Sequence, residues 1–260
     1  MDQNMIENVI KRVKSEINAV DTPCLGACMQ DIGVTEYVGT AIGDTIGLVI
    51  ASVDPMLGET MQLGKYRSIG IIGGRAALAP YIMAVDDAIK ATNTEVISIE
   101  APRDGNGGCG PGAFIVIGAD DVSDARRAIE ISLGTLEKYF GDVYMNKAGH
   151  LEFQYTARAS YCIEKAFNSP QGRAFGLVCA APAAIGVVLS DIAVKAANVE
   201  VVSYTSPAVG PGYNYSNEIT LTFTGDSGAV RQAVRATIEV GKKLLGAMDT
   251  EPKSLAVPYI

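Results

Sequence analysis

Residues 90–98 read Lys-Ala-Thr-Asn-Thr-Glu-Val-Ile-Ser, and residues 195–203 read Lys-Ala-Ala-Asn-Val-Glu-Val-Val-Ser. Six of nine positions agree at an offset of 105. The agreement runs outward on both sides: Ile82 answers Val187, Asp86 answers Asp191, Arg126 answers Arg231 and Ala128 answers Ala233. Two copies of one module change the question. It is no longer where a single active site lies, but what two similar modules build together.

Around these stretches the signals recur in one order. In the first copy, β-rich runs at 45–52 and 69–72 precede a helix at about 79–91, with Ile82, Val85 and Ile89 on one face. A strand at 95–99, a Gly-rich loop, a strand at 113–117 and a helix from about 123 to 140 follow. Asp121 and Ser123 are its candidate N-caps. The second copy has strands at 175–179, 200–204 and 218–224 and helices at about 183–196 and 228–245. A weaker match sets 36–41 against 152–157 at an offset of 116 rather than 105, which would place 11 extra residues in the first copy, within 54–65. Each module reads as an α+β unit, a small antiparallel sheet with helices packed on it.

The division that follows is 1–33, an amphipathic helix and linker; 34–146, the first module; 147–248, the second module; and 249–260, a C-terminal tail. Ile6, Val9, Ile10, Val13, Ile17 and Val20 form the apolar stripe of the leading helix, which Pro23 ends. The 260 residues suffice for two such cores. With 48% hydrophobic and 19% charged residues, the chain reads as globular. No stretch approaches the ~20 apolar residues that a membrane span needs, and no secretory leader is visible, so a cytoplasmic home is expected. A net charge of −8 argues against nucleic acid as a partner.

Most catalytic readings fail on these residues. Five cysteines (Cys24, Cys28, Cys109, Cys162 and Cys179) make no disulfide framework. The single histidine, His150, excludes a multi-His metal site within one chain. Gly105-Asn106-Gly107-Gly108-Cys109-Gly110 fits G-x-G-x-x-G, but a strand follows it instead of the helix whose N-terminus would hold a pyrophosphate. Cys24 and Cys28 lack a second Cys/His pair. Three chains meeting at Cys109 would bring three thiols together, but one Cys per chain is a thin basis for a metal or iron–sulfur site. Asp86 with Lys90, and Asp191 with Lys195, are four apart on predicted helices and read as ordinary intrahelical pairs. Their duplication favours an interface role over a catalytic one.

The two loops carry more. Loop one runs from Ala101 to Gly112, and loop two from Thr205 to Tyr215, at the same place in each copy. Gly lets backbones approach closely, and a lining of hydroxyls, amides and bare backbone suits small neutral polar molecules.

The junction Lys-Ala-x-Asn-x-Glu-Val, a Gly-rich loop, a β run and the helix start Gly225-Asp226-Ser227-Gly228-Ala229-Val230-Arg231 together resemble the bacterial microcompartment shell domain. Two such domains in one chain resemble the tandem, trimer-forming class. The strand-rich segment ahead of each module resembles its circularly permuted variant. Residues 34–53, 66–71, 90–98, 154–165 and 225–233 carry the likeness, which covers residues 34–260.

That resemblance implies a structural, non-enzymatic tile in a microcompartment shell: a homotrimeric pseudo-hexagon that meets other shell proteins laterally. Pro102, Arg103, Asp104, Gly105, Asn106, Gly107, Gly108, Cys109, Ser206, Pro207, Gly210, Pro211, Gly212, Tyr213 and Asn214 would line pores for a small polyol, 1,2-propanediol or glycerol. Lys90, Asn93, Lys195 and Asn198 would lie at tile edges, and residues 1–20 would tether the enclosed enzyme core. No cofactor, metal, catalytic residue, nucleic acid or membrane is expected. Without the resemblance, the residues also allow a small-molecule-binding enzyme or a sensor built on a duplicated α+β domain.

Overall fold

In a computed structural model of the chain, residues 34–103, 110–207 and 217–260 are described. The expected helix at 1–20, the Cys24/Cys28 pair, residues 104–109 of loop one and 208–216 of loop two lie outside the described residues.

The first module opens with a hairpin. β1 (Tyr37–Ala41) and β2 (Thr45–Ile50) are joined by a turn in which Gly43 and Asp44 have φ of 84° and 52°. Thr45 Oγ1 donates to Ile42 O across that turn at 2.6 Å. A short helix, α1 (Pro55–Thr60), begins where the Asp54 side chain accepts the Met56 N–H and Pro55 needs no donor. β3 (Ser68–Gly74), α2 (Ala79–Lys90), β4 (Thr94–Glu100), β5 (Ala113–Ala119) and α3 (Val122–Phe140) follow. The second module repeats the order with β6 (Val143–Asn146), β7 (Gly149–Thr156), α4 (Tyr161–Phe167), β8 (Ala174–Ala181), α5 (Ala183–Ala196), β9 (Val199–Thr205), β10 (Ile219–Gly225) and α6 (Ser227–Gly246). β11 (Lys253–Ser254) closes the chain.

The sheets run β1-β2-β3-β5-β4 and β11-β6-β7-β8-β10-β9, and their strand pairs are antiparallel. In both, the strand after the first main helix (β4 after α2, β9 after α5) takes the outer position and the next strand returns between it and the centre. Loops one and two are the connections of these outer hairpins. The hairpin β6–β7 straddles the junction read from the sequence at 146/147, and β11 lies within the 249–260 tail.

Two expectations need correction. β2 ends at Ile50 and β3 begins at Ser68; β7 ends at Thr156 and β8 begins at Ala174, so the interval is the same in both copies. The first module therefore has no insertion. The match of 36–41 to 152–157 aligned β1 with β7, whereas the counterpart of β1 is β6. Two hairpin strands of similar composition produced a false register. Second, Asp121 does precede α3, but its side chain makes no capping hydrogen bond; Ser123 lies inside the helix.

Helix-on-sheet packing explains several glycines. A Cβ at Gly70 of β3 would lie 2.7 Å from Ile129 Cγ1, and one at Gly47 of β2 would lie 2.5 Å from Ile129 Cγ2. α3 thus approaches its sheet as closely as backbone permits. α2 is buried from Ala79 to Asp86 without a break, because both of its faces are covered. One apolar cluster joins Ile72, Ile82, Met83 and Ile129 of the first module to Cys162, Ile163, Phe175 and Leu177 of the second. Residues Thr35–Ile260 accordingly form one compact unit.

The C-terminus seals the junction. Asp142 sits buried between α3 and β6, and its Oδ2 accepts the N–H groups of Tyr259 and Ile260 at 3.0 and 3.1 Å. Burial raises this carboxyl's pKa, and the two N–H groups oppose that shift. Tyr259 meets Tyr139 edge to face at 5.7 Å between ring centroids and donates its hydroxyl to Tyr155 O at 2.7 Å. Removing residues 257–260 strips Asp142 of both donors and uncovers Tyr139. We expect a loss of about 2–4 kcal/mol, measured as a lowered urea unfolding midpoint.

Candidate functional site

The proposed edge residues lie at matched places. Lys90 and Lys195 close α2 and α5, and Asn93 and Asn198 are exposed at the entries to β4 and β9. Their surroundings differ. Lys195 pairs with Asp191 at 2.7 Å, and both side chains are mostly exposed. Lys90 closes on Asp86, which is buried. The other Asp86 oxygen, Oδ1, accepts the Ser160 N–H at 3.0 Å and the Ser160 hydroxyl. Asp87, beside it, accepts the Tyr139 hydroxyl at 2.5 Å and lies 3.6 Å from Lys138 Nζ. The pair expected to be a plain intrahelical bridge is, in the first copy, a tie between modules.

This difference extends along the helices. Ile82 and Met83 are each 1% exposed, while their counterparts Val187 and Val188 are 48% and 44% exposed. Ile82 and Met83 are covered in the second module by α4, whose Cys162 and Ile163 are both 0% exposed. Cys162 Sγ reaches Ile82 O at 3.6 Å. The α4 counterpart in the first module is α1, with Met56 at Cys162's place and Leu57 at Ile163's. Those two residues are 77% and 48% exposed. The chain contains one finished seam, and the residues that answer its two sides are exposed on α1 and α5.

Of the pore-lining candidates, Pro102, Arg103, Ser206 and Pro207 are described. They flank the loops, and Gly112 N–H donates to Pro102 O at 2.8 Å across the base of loop one. Asp104, Gly105, Asn106, Gly107, Gly108, Cys109, Gly210, Pro211, Gly212, Tyr213 and Asn214 lie outside the described residues.

Beneath the loops sits a cluster that the sequence reading missed. Glu152, Cys179 and Thr220 are cross-strand neighbours on β7, β8 and β10. His150 and Glu218 come two positions along on the same face. His150 Nε2 and Glu218 Oε2 are 3.0 Å apart. A cavity of about 80 Å³ is bounded by Glu152, Cys179, Glu218, Leu78, Ala79 and Pro111, so it lies between the modules. Burial and, after it, the Glu218 charge push the Glu152 carboxyl up to about 8; Gln154 and the Ala79 N–H act the other way. His150 and Glu152 are adjacent in the alternation of one strand. Their meeting with Cys179 and Glu218 depends on a register that the sequence does not display.

Comparison with known proteins agrees with this architecture. The BMC domain matches residues 68–147 and again 174–251. The bacterial microcompartment shell protein PduB of Citrobacter freundii is 58% identical over 100% of this chain and 98% of its own length. Among solved structures, a trimeric bacterial microcompartment shell protein PduB superposes with a TM-score of 0.83 at 50% identity, covering 87% of this chain and all of the other. EtuB from Clostridium kluyveri superposes with the same TM-score at 52% identity, over 87% of this chain and 99% of its own.

The finished seam makes a direct prediction. Asp86→Ala leaves the Ser160 donors and the Lys90 ammonium without their partner inside the junction. It should destabilise the chain by about 2–4 kcal/mol in urea unfolding. A change within about 0.5 kcal/mol, the value of a surface pair, would contradict the assigned tie.

Proposed function

Because the chain belongs to the bacterial microcompartment shell proteins, we propose that it serves as a structural tile and not as an enzyme. In this reading three copies close head to tail into a pseudo-hexagonal ring set in the shell. The observation that carries it is the pair of unfinished seam halves. Met56 and Leu57 on α1 are exposed knobs whose counterparts are fully buried in the finished seam. Val187, Val188 and Val194 on α5 are the exposed apolar surface that such knobs would cover. Soluble chains seldom leave a matched pair of apolar faces bare unless a partner covers them.

The two halves lie on different modules, so the contact is heterologous. A heterologous contact forms a ring when its rotation closes. If the contact between chains copies the one within a chain, the modules follow one another at equal steps. Three chains then supply six modules. The 50% identical solved relative is trimeric, which supports closure at that number.

The remaining assignments follow from this tile. Lys90, Asn93, Lys195 and Asn198 are the lateral contacts to other shell proteins. Loops one and two alternate around the ring and line pores. Their hydroxyl, amide and backbone groups suit a small polyol, 1,2-propanediol or glycerol, which exchanges hydrogen bonds with water at little net cost. The stripe at 1–20 is an amphipathic surface for docking the enclosed enzymes. The PduB relatives are named as shell proteins, which gives the enzyme and sensor readings of the duplicated α+β domain no support.

Two experiments test the tile. Val188→Asp, and separately Met56→Asp, should give a folded chain of 27.2 kDa by light scattering, where the native protein forms a particle of about 82 kDa, three times that mass. A variant that remains trimeric with undiminished stability would place the interface elsewhere. Lys195→Ala combined with Asn198→Ala should keep the trimer and reduce lateral sheet formation in electron micrographs. Lys195 is the informative lysine because Lys90 also neutralises buried Asp86. Sheets that form as readily as before would remove the edge assignment.

A further inference from the structure

We propose that the cluster between the two modules is a transition-metal site, one per chain, in which His150, Cys179 and Glu218 hold a divalent ion of the zinc class. Their donor atoms, one from each residue, all lie within 4.8 Å of one another. His150 and Cys179 are buried, and Glu218 is partly so. His150 and Cys179 come from the paired strands β7 and β8, and Glu218 immediately precedes β10, the next strand of the sheet. Strand pairing therefore positions His150 and Cys179, and Glu218 is held where the chain enters β10.

The donor set decides the class of ion. A nitrogen, a sulfur and a carboxylate oxygen suit zinc and its neighbours; magnesium and calcium take oxygen sets. A thiolate and one carboxylate would balance the two positive charges, with His150 neutral, and binding would release the Cys179 proton to solvent. Zinc bonds of ~2.0–2.3 Å place tetrahedral ligands roughly 3.3–3.8 Å apart. The widest pair here closes to that spacing by about an ångström, a rotamer adjustment.

A second observation points the same way. Glu152 lines the cavity beside Cys179 and Glu218 and is 6% exposed, and its Oε1 has no hydrogen-bond partner. Buried carboxylate oxygens are ordinarily satisfied. An ion or its bound water in the adjoining cavity would satisfy this one and complete a fourth position. The plainer reading is a His–Glu pair beside an ordinary buried thiol. It accounts for the 3.0 Å contact but not for the orphaned oxygen.

The fold itself does not require these groups. By register, the first-module counterparts of His150, Cys179 and Glu218 are Asp44, Gly73 and Gly112, which cannot form such a set. Glu152 is answered by Ile46. The donors are confined to the seam inside the chain. They also touch loop one: a Cβ at Gly110, where φ is +59°, would lie 3.1 Å from Glu218 Oε2. Fixing Glu218 would fix the surface on which that loop returns to its sheet.

The test uses the full-length protein, stripped with chelator and titrated with Co²⁺. One ion per chain should bind, with tetrahedral d–d absorption and a thiolate-to-cobalt charge-transfer band, and Zn²⁺ should abolish both. The band should vanish in Cys179→Ser and persist in a Cys24→Ser, Cys28→Ser, Cys109→Ser variant. Absence of the band in the native protein, or its survival in Cys179→Ser, would overturn the site. Should Cys179→Ser misfold, His150→Gln should weaken Co²⁺ binding and shift the d–d bands, with unchanged titration overturning the site, and the native protein's metal content after gel filtration decides on its own. These readouts do not depend on ring closure, so a failed metal site and a failed tile remain distinguishable.

Discussion

The structure depends on the seam in which Cys162 and Ile163 of α4 cover Ile82 and Met83 of α2. Those apolar side chains gain the stabilisation of full burial only because a second module lies beside the first. Asp86 then becomes a buried charge at the centre of an apolar contact, and it is tolerated because Ser160 donates to one of its oxygens and the Lys90 ammonium pairs with the other. From this one contact follow the unbroken burial of α2, the core cluster that crosses both modules, and the closure by the C-terminal residues around Asp142. A single module cut from the chain would expose the whole of that face.

Duplication alone would make two equal modules; covalent linkage makes them unequal. The same nine-residue motif ends a helix that is covered in one copy and bare in the other. Nothing in the motif itself determines which. What differs is the neighbour: α2 has α4, and α5 has no equivalent of α4 among the described residues. Equal sequences in unequal surroundings are what a tandem unit of a closed ring presents. In the proposed ring, the exposed valines of α5 and the exposed Met56 and Leu57 of α1 would be the two halves of one interface.

Much of this was legible in the residues. Apolar periodicity placed α2, α3, α5 and α6 within one or two positions. Strands β3 to β5 and β8 to β10 were visible as β-branched runs. The hairpins β1–β2 and β6–β7 were not assigned to their true counterparts. Short strands of similar composition align in more than one register, and only pairing partners choose among them. The inequality of Asp86 and Asp191 was invisible, since burial is a property of the neighbour. The cluster of His150, Glu152, Cys179 and Glu218 was equally hidden. It is assembled from two strands and the residue that leads into a third, up to 68 positions apart.

The chemistry of the two seams fits the way each must form. Modules within one chain are held at high effective concentration by the short connection between α3 and β6, so their contact need not supply the free energy of encounter. Such a seam can carry a row of ionisable groups whose burial costs several kcal/mol. A contact between chains must overcome the loss of translational and rotational freedom, estimated at about 4–15 kcal/mol, before any net affinity appears. There an apolar surface is the economical solution. The residues that the proposed ring would use for it, Ile46, Met56, Leu57, Val187, Val188 and Val194, are all apolar. The Ile46 position of the outer seam is occupied by Glu152 in the inner one. Polar specialisation has therefore settled on the side of the module where association is already guaranteed by the chain.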